Sequence, residues 1–473
     1  MKRLAPLTAL LLTGCMTMEP AYVRPDPAVP ASWPAGDPYL RQTEAALPVV
    51  SYRDIFRDPR LQALIEQGLA NNRDLAAAAA NMAAARAQYR IQRAELFPEV
   101  DASLGISGSE ADGGGANANL TAGVGIPSFE LDLFGRLRSL SKSQLNRYFA
   151  SEAAARATRL ALVADIAEAW LTFGADASLL AIAEDTASSA GRSVTLTRAR
   201  LEGGIAPRTD LRQAELVLRG AEASVARQRT ALAQDINLLR LLVGAPIDPQ
   251  LLPSSIEQAA PTVHPLPAGV SSLILLRRPD VMQAEYQLRA ANAEIGAARA
   301  ALFPRISLTG LLGLASSSLS GLFSDGSFGW NASADATYPI FRAGAGVANV
   351  RLSEAERDAA VANYQKAIQT AFREVSDALA RQGTAGEELR AREAQQASAA
   401  DNYRLSEARY RAGIDNFLLT LDSQRTYFAA QQALVQMRLE TASNLVDLYR
   451  TLGGDALYPA QGQSLAGAGN SRP

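Results

Sequence analysis

The sequence predicts a mainly α-helical fold with a membrane β-barrel portion, and three observations support this prediction. The chain is internally duplicated, since Asp280 to Pro304 repeats Asp74 to Pro98 at a constant offset of 206 positions. Each copy contains two segments with the alternating pattern of β-strands, followed by an unusually long stretch of helical periodicity. Each long stretch ends in a glycine-containing turn, and the two turns lie 209 positions apart.

Residues 1–14 have the pattern of an export signal. Lys2 and Arg3 form a positive segment, and Leu4 to Leu12 forms a short apolar one. The segment then ends in Leu12-Thr13-Gly14-Cys15, which resembles the bacterial lipoprotein signal, in which the cysteine becomes the acylated first residue. Cys15 is the one cysteine of the chain, so a free or intermolecular thiol is the alternative. Its position after small residues favours lipidation, and several acyl chains together anchor a protein stably.

Residues 15–50 are predicted to form an extended, lipid-anchored arm. Prolines recur at a spacing that does not permit a helix. They are Pro20, Pro25, Pro27, Pro30, Pro34 and Pro38. Met16 follows the cysteine where an aspartate would retain a lipoprotein in the inner membrane, so the resemblance implies the outer membrane.

The composition excludes several classes of function. A net charge of −2 without a basic block disfavours nucleic acid as a partner. Beyond the N-terminus we find no uninterrupted apolar run of about 18 residues, which argues against a conventional transmembrane helix but not against a barrel of half-apolar strands. His264 is the one histidine, and neither a phosphate-binding loop nor a metal-ligand cluster is visible. We therefore expect no enzyme, cofactor or metal.

The first repeat is predicted over residues 51–245. Its elements are a helix over Asp58–Leu96, a strand hairpin over 99–129 whose second strand stops at Pro127, a long helix over Gly135–Leu201, a turn near Gly204 and a returning helix over Thr209–Val243. The proline of Phe97-Pro98 ends the first helix. The long helix would extend over roughly 100 Å at 1.5 Å per residue.

The second repeat is predicted over residues 277–453, after a proline-rich connector, 246–276, in an equatorial region. Its elements are a helix over Asp280–Pro304, a strand hairpin over 305–339, a long helix over Arg342–Arg411, a turn near Gly413 and a final helix to Leu452. Residues 454–473 form a C-terminal tail.

The strands favour a barrel shared between copies of the chain. Four strands cannot close on themselves, and a bilayer does not tolerate open sheet edges, so other copies must supply the missing neighbours. The apolar side of the fourth strand carries Phe328, Trp330 and Tyr338 at its two ends, which matches the aromatic girdles of outer-membrane barrels. The alternative is a small soluble sheet with one buried face, and the export signal favours the barrel.

The long helices favour a packed ring below that barrel. Apolar and small residues recur four and three apart, as in a coiled-coil seam. They are Val163, Ala167, Trp170, Gly174, Ala177 and Ala181. A hollow tube and a solid coiled-coil bundle both fit this spacing.

These features together resemble the TolC-like outer-membrane factors of tripartite efflux pumps, specifically the lipoprotein branch of the NodT type. The matching segments are the Cys15 lipobox, the arm from Met18 to Pro25, Phe97-Pro98 with Phe303-Pro304, Glu130 to Arg136, and the two Arg-X-X-X-Gly turns at Arg200 and Arg409. The resemblance implies a homotrimer with a 12-stranded barrel on an α-helical tunnel. It also implies a periplasmic adaptor and an inner-membrane pump, expected to be of the RND type.

In that family the helix turns form the periplasmic tip, where the tunnel closes and the adaptor binds. The resemblance therefore assigns adaptor contact to four residues of the turns. They are Gly204, Ile205, Gly413 and Ile414.

Asp415 is the candidate constriction residue. Threefold symmetry would form a ring of three carboxylates, which repel one another, attract cations and raise one another's proton affinity. The alternative role of Asp415 is to cap the following helix. Arg409 and Arg411 are further gate candidates that either tie neighbouring helices together or lie on a solvated face.

We therefore predict a passive, trimeric exit channel of a multidrug efflux system, lipid-anchored in the outer membrane and opened at its periplasmic tip by the adaptor. One alternative is the outer-membrane channel of type I protein secretion. Another is a periplasmic coiled-coil lipoprotein that forms no channel. The sequence does not identify the exported substrate.

Overall fold

The computed structural model describes residues 17–27, 29–30, 32–34, 51–109, 117–263 and 272–454. The chain divides into two compact units. The first comprises residues up to Asp26, Ala80–Ala153 and Met282–Ala367, and the second comprises Pro27–Ala79, Ala154–Val281 and residues from Ile368 onward. The predicted signal peptide, Cys15, His264 and the tail beyond residue 454 lie outside the described residues.

The helices follow the predicted duplication closely. In chain order they are α1 (Tyr52–Ile55), α2 (Pro59–Asn71), α3 (Arg73–Ala94), α4 (Arg136–Glu202), α5 (Arg208–Val243), α6 (Ile256–Ala259), α7 (Pro279–Ala300), α8 (Ala345–Arg411) and α9 (Phe417–Thr451). Short 3₁₀ turns occupy Pro249–Leu251, Ala260–Thr262 and Ser272–Arg277 in the connector. The long helices α4 and α8 have 67 residues each.

One predicted helix is in fact two. The stretch predicted as a single helix from Asp58 to Leu96 is interrupted at Asn72, whose backbone is extended (φ −61°, ψ 133°). The Asn72 side-chain amide donates to the carbonyl of Leu242 over 2.8 Å, and its Oδ1 accepts from the N–H of Leu75 over 2.9 Å. Asn72 therefore caps α3 and ties the break to the returning helix α5.

The sheet lies in the first unit and has four antiparallel strands in the order β1-β2-β3-β4. The strands are β1 (Asp101–Ser109), β2 (Asn117–Leu131), β3 (Arg305–Ser316) and β4 (Phe328–Thr337). The predicted end of the second strand at Pro127 is wrong, because β2 continues through a register shift between Ile126 and Phe129. This bulge accommodates a proline that cannot donate to the ladder, and the carbonyl of Pro127 accepts from Thr309 Oγ1 over 3.1 Å.

The second unit is organised around large buried side chains. Trp170 and Tyr449 are fully buried, and the indole N–H of Trp170 donates to the carbonyl of Leu251 over 2.9 Å. The predicted seam holds at Val163, Ala167 and Trp170, which are fully buried. One helix among the described residues, α4, contains an 18-residue window whose mean hydropathy is high enough to cross a membrane. Half of that window is buried within the protein, as in the core helix of a soluble fold.

Helices α3 and α7 occupy equivalent positions in the two repeats but differ in burial. No residue of α3 is buried. In contrast, α7 buries Leu288, Ala293 and Ile295. In the first unit α7 contacts the start of α4, where Tyr286 packs on Phe149 with ring centroids 5.3 Å apart. Within the described residues, no segment buries α3 as the start of α4 buries α7.

The described part of the N-terminal arm has no regular secondary structure, and it is not a free tether. Arg24 forms a two-pronged ion pair with the buried carboxylate of Glu285, with a shortest distance of 2.7 Å. The hydroxyl of Tyr22 also donates to Glu285, over 3.3 Å. Glu19 pairs with Lys142 over 2.8 Å. These contacts fix the arm against α4 and α7 in the first unit.

Candidate functional site

One face of the sheet is a continuous apolar surface. The strand register aligns side chains of this face in rows across all four strands. One row is Leu104, Ala122, Leu314 and Phe328, and the next is Ala102, Val124, Leu312 and Trp330. Leu104 is 88% exposed and Trp330 is 74% exposed. A contiguous exposed apolar surface of this kind indicates contact with lipid or with another protein.

The opposite face is polar and rich in glycine. It carries Asp101 and Asp335, as the alternation predicts. A Cβ atom at Gly313 would lie 2.5 Å from the carbonyl oxygen of Ala122, and one at Gly125 equally close to that of Gly310. Only glycine permits this close approach of β2 and β3 at these positions.

The sheet has two open edges. Among the described residues, β1 pairs only with β2, and β4 pairs only with β3. Unpaired backbone N–H and C=O groups on these edges cannot remain in the hydrocarbon region of a bilayer. An apolar face combined with open edges therefore requires neighbours that continue the sheet.

The two helix turns have the same geometry. Gly204 and Gly413 are left-handed, with φ of 73° and 76°. In the first turn the N–H of Ile205 donates to the carbonyl of Arg200 over 2.8 Å, and in the second the N–H of Ile414 donates to that of Arg409 over 2.9 Å. These six-residue closures are Schellman motifs, which need a residue tolerant of positive φ at the glycine position.

The second unit also brings the two turns together. A small apolar core joins the four helices that meet there. It consists of Val194, Leu211, Ala214, Tyr410, Phe417 and Leu421. Arg200 of the first turn donates to the carbonyls of Tyr410 and Arg411 over 3.1 and 3.2 Å. Its guanidinium also lies 4.4 Å from the centre of the Tyr410 ring. The two hairpins are therefore joined by a cation at the C-terminal end of α8, where the helix dipole favours positive charge.

Ile205 and Ile414 project from the turns that were predicted to contact an adaptor. Ile205 is 78% exposed and Ile414 is 64% exposed. No atom within 4 Å would oppose a Cβ on Gly204 or Gly413, so backbone conformation and not crowding selects glycine there.

The structure gives Asp415 a partner that the sequence did not predict. Its carboxylate accepts two hydrogen bonds from Arg409, over 2.6 and 3.0 Å. This contact with Arg409 holds the pKa of Asp415 below the usual range for aspartate. The alternative role for Asp415, as a helix cap, is wrong, because Asn416 is the N-cap of α9 and accepts from the N–H of Leu419 over 3.2 Å.

The other polar residues of the turns have local roles. Arg411 pairs with Glu407 over 2.6 Å, one turn earlier on the same helix, so within one chain it does not tie helices together. Asp210 lies in the first turn of α5 and does not cap it, since the N-cap of that helix is Pro207, without a side-chain cap bond.

One carboxyl pair was not identified from the sequence. Asp176 of α4 and Asp235 of α5 face each other across the first hairpin, and Oδ2 of Asp235 is buried without a hydrogen-bond donor among the described residues. Burial, reinforced by the Asp176 charge, raises the pKa of Asp235 to about 7. The two positions lie 59 residues apart with no shared motif, so only the pairing of the helices reveals the contact.

Comparison with known proteins gives matches over nearly the whole chain. The family model described as outer membrane efflux protein matches residues 64–245 and 270–454. A probable efflux pump outer membrane protein of Pseudomonas putida, TtgC, is 43% identical over 467 residues, covering 97% of this chain and 96% of its own. The structure of the open MtrE outer membrane channel of Neisseria gonorrhoeae is 33% identical with a TM-score of 0.85, covering 93% of this chain and 99% of its own. A membrane protein structure from Pseudomonas aeruginosa is 39% identical with a TM-score of 0.86, covering 93% and 98%.

The fold and the site define an outer-membrane channel protein built from a duplicated helix and strand unit. The chain belongs to the outer membrane efflux protein family. It serves as an efflux exit channel, and the predicted fold class and outer-membrane location are confirmed. Its relatives are channel proteins and not enzymes.

Proposed function

We propose that three copies of the chain close one 12-stranded barrel in the outer membrane and continue it as a helical tunnel into the periplasm. The observation that carries this proposal is the four-stranded sheet, whose exposed apolar face and two open edges suit a lipid-embedded sheet completed by further copies. The chain then acts as a passive conduit without a catalytic step.

The helix turns form the closed periplasmic end of this conduit. Arg200 joins the two hairpins of one chain, and the ion pair of Arg409 with Asp415 spans the second turn. Each Asp415 at a constriction is therefore paired with Arg409 of the same chain. A ring of three copies then contains three arginines as well as three carboxylates. Opening requires the hairpins to separate from those of neighbouring copies.

The partners are a periplasmic adaptor and an inner-membrane pump of the RND type. Ile205 and Ile414 supply exposed apolar contacts at the turns for the helical hairpins of the adaptor. Relatives named as toluene, solvent and antibiotic efflux proteins are 41–43% identical, which supports small organic compounds as the exported class. Cys15 carries the lipid anchor.

Conductance in planar bilayers tests the gate. Purified wild-type protein should form a small, mostly closed pore, and replacing Arg409 and Asp415 with alanine should increase the open probability. The matched control removes Arg404, which pairs with Asp401 over 2.7 Å on the exposed face of α8 without spanning the turn. That change should leave conductance as in the wild type.

Two results count against the proposal. If the Arg404 control increases the open probability as much as the Arg409 and Asp415 changes do, the proposed gating role of Arg409 and Asp415 is wrong. A protein that conducts in none of these forms contradicts the conduit itself.

A further inference from the structure

An aromatic stack marks the place where the two repeats of one chain meet. The rings of Phe134 and Phe303 lie 4.7 Å apart at an angle of 21°. Phe134 stands three residues beyond the end of β2, and Phe303 stands two residues before the start of β3. Because β2 and β3 are antiparallel neighbours, the end of one strand lies beside the start of the other, and the stack closes that junction.

The duplication supplies a second set of the same residues without a stack. Phe97 precedes β1 as Phe303 precedes β3, at the repeat offset of 206 positions. Phe341 follows β4 as Phe134 follows β2. Phe97 is 64% exposed and Phe341 is 85% exposed. The two cannot meet within one chain, because β1 and β4 are opposite edges of the sheet.

A second copy of the chain brings them together. The strands alternate in direction along the sheet, so β4 of one copy meets β1 of the next in antiparallel orientation. The end of β4 then lies beside the start of β1, as the end of β2 lies beside the start of β3. We propose that Phe341 of one subunit stacks on Phe97 of the next and that this stack closes each seam between subunits. The inference rests on the proposed closure of the barrel by further copies.

The helix next to this seam carries the same asymmetry. In the second repeat, α7 is covered by the start of α4, through the ring contact of Tyr286 with Phe149 and the hydrogen bond of Ser143 with Glu294. Its equivalent, α3, has no buried residue. The start of α8 is equivalent to the start of α4, and it exposes Val347 and Leu352. The beginning of α8 in one subunit therefore covers α3 of the next, directly below the proposed stack.

Cross-linking tests the contact in the full-length protein in detergent. A chain with both Phe97→Cys and Phe341→Cys, treated with a short bismaleimide, should yield covalent dimers and trimers on denaturing gels. Each variant with only one of the two substitutions measures the background of cross-linking that does not need the pair. The control pair, Phe134→Cys with Phe303→Cys, should react within one chain and leave the mass of a monomer.

A double-mutant comparison supplies an independent readout. Phe97→Ala and Phe341→Ala should each lower the temperature at which the assembled protein dissociates, and the double variant should dissociate no earlier than the more damaging single one. This non-additivity is expected only if the two side chains contact each other. Phe134→Ala should not show such coupling with Phe97→Ala.

The outcomes separate this inference from the proposed function. If trimers stay intact on native gels but the two alanine effects are additive, the stack is wrong and the channel proposal stands. The same holds if the control pair reacts but cross-linking between subunits is no stronger than in the variants with only one of the two substitutions. A wild-type protein that forms no trimer overturns the proposed closure itself.

Discussion

The charged side chains of the second turn act as a pair. Arg409 and Asp415 stand six residues apart and meet because the Schellman turn reverses the chain between them. The pKa of Asp415 is lowered by this contact, so the contribution of the pair to stability is present above the unfolded pKa of about 3.9 and is lost only as pH falls through the lower folded value. The turn therefore keeps its ion pair throughout the neutral and mildly acidic range.

The carboxyl pair of the first hairpin has the opposite pH dependence. The pKa of Asp235 is raised to about 7, so between pH 3.9 or so and 7 the folded chain binds more protons than the unfolded one. The free energy of unfolding should fall as pH rises through this window and level off above it. Asp235→Asn should reduce the slope, to which Asp165 and Glu168 also contribute because burial raises their pKa values. It should stabilise the protein at pH 8 on the order of 1 kcal/mol, a modest value because solvent screens this half-exposed pair.

Urea unfolding of the purified protein between pH 4 and 8 measures this effect. Asp185→Asn changes an exposed carboxylate on the same helix as Asp176 and serves as the control. If Asp235→Asn retains the wild-type pH slope, protonation of Asp235 is not the cause of it.

The elements were predictable where local sequence decides them. The long helices begin and end within three residues of their predicted limits, because proline and glycine set those limits. The errors occur where a tertiary contact overrides the local pattern. The break at Asn72 depends on the carbonyl of Leu242, and the passage of β2 beyond Pro127 depends on pairing with β3. The docking of the arm depends on Glu285, which lies 261 residues from Arg24.

The close approach of β2 and β3 depends on glycine at particular positions. Gly313→Ala would place a Cβ 2.5 Å from a backbone oxygen of β2, and the overpacking should cost about 1–3 kcal/mol. Gly310 lies on the same strand with nothing within 4 Å of its Cβ position, so Gly310→Ala is the matched control. Heat-induced loss of β-sheet circular dichroism measures both variants, and equal losses would argue against the steric explanation.

At the scale of the whole molecule, the duplication was the most informative sequence feature. It predicted two strand hairpins and two matching turns. The two copies nevertheless differ in packing, since α7 has buried residues and α3 has none. A single sequence cannot reveal this difference, because it arises from which neighbours each repeat finds and not from the residues of the helices themselves.

The lipid-facing role of the sheet predicts a contrast between two adjacent residues. Trp330 lies on the apolar face and Asn331 on the polar one. Trp330→Arg should impair assembly, because an arginine facing lipid costs about 2–4 kcal/mol at the middle of the bilayer and less near its surfaces. Asn331→Arg should be tolerated. Recovery of heat-resistant protein from outer-membrane fractions compares them, and similar yields would contradict the assignment of faces.

The lack of buried residues in α3 also matters for the single chain before it assembles with other copies. In a copy without neighbours, no residue of α3 is buried, whereas its counterpart α7 has several buried residues. The apolar rings beside α3 are exposed as well. We expect this surface to be accessible to proteases in a lone copy and to be protected once neighbouring copies cover it.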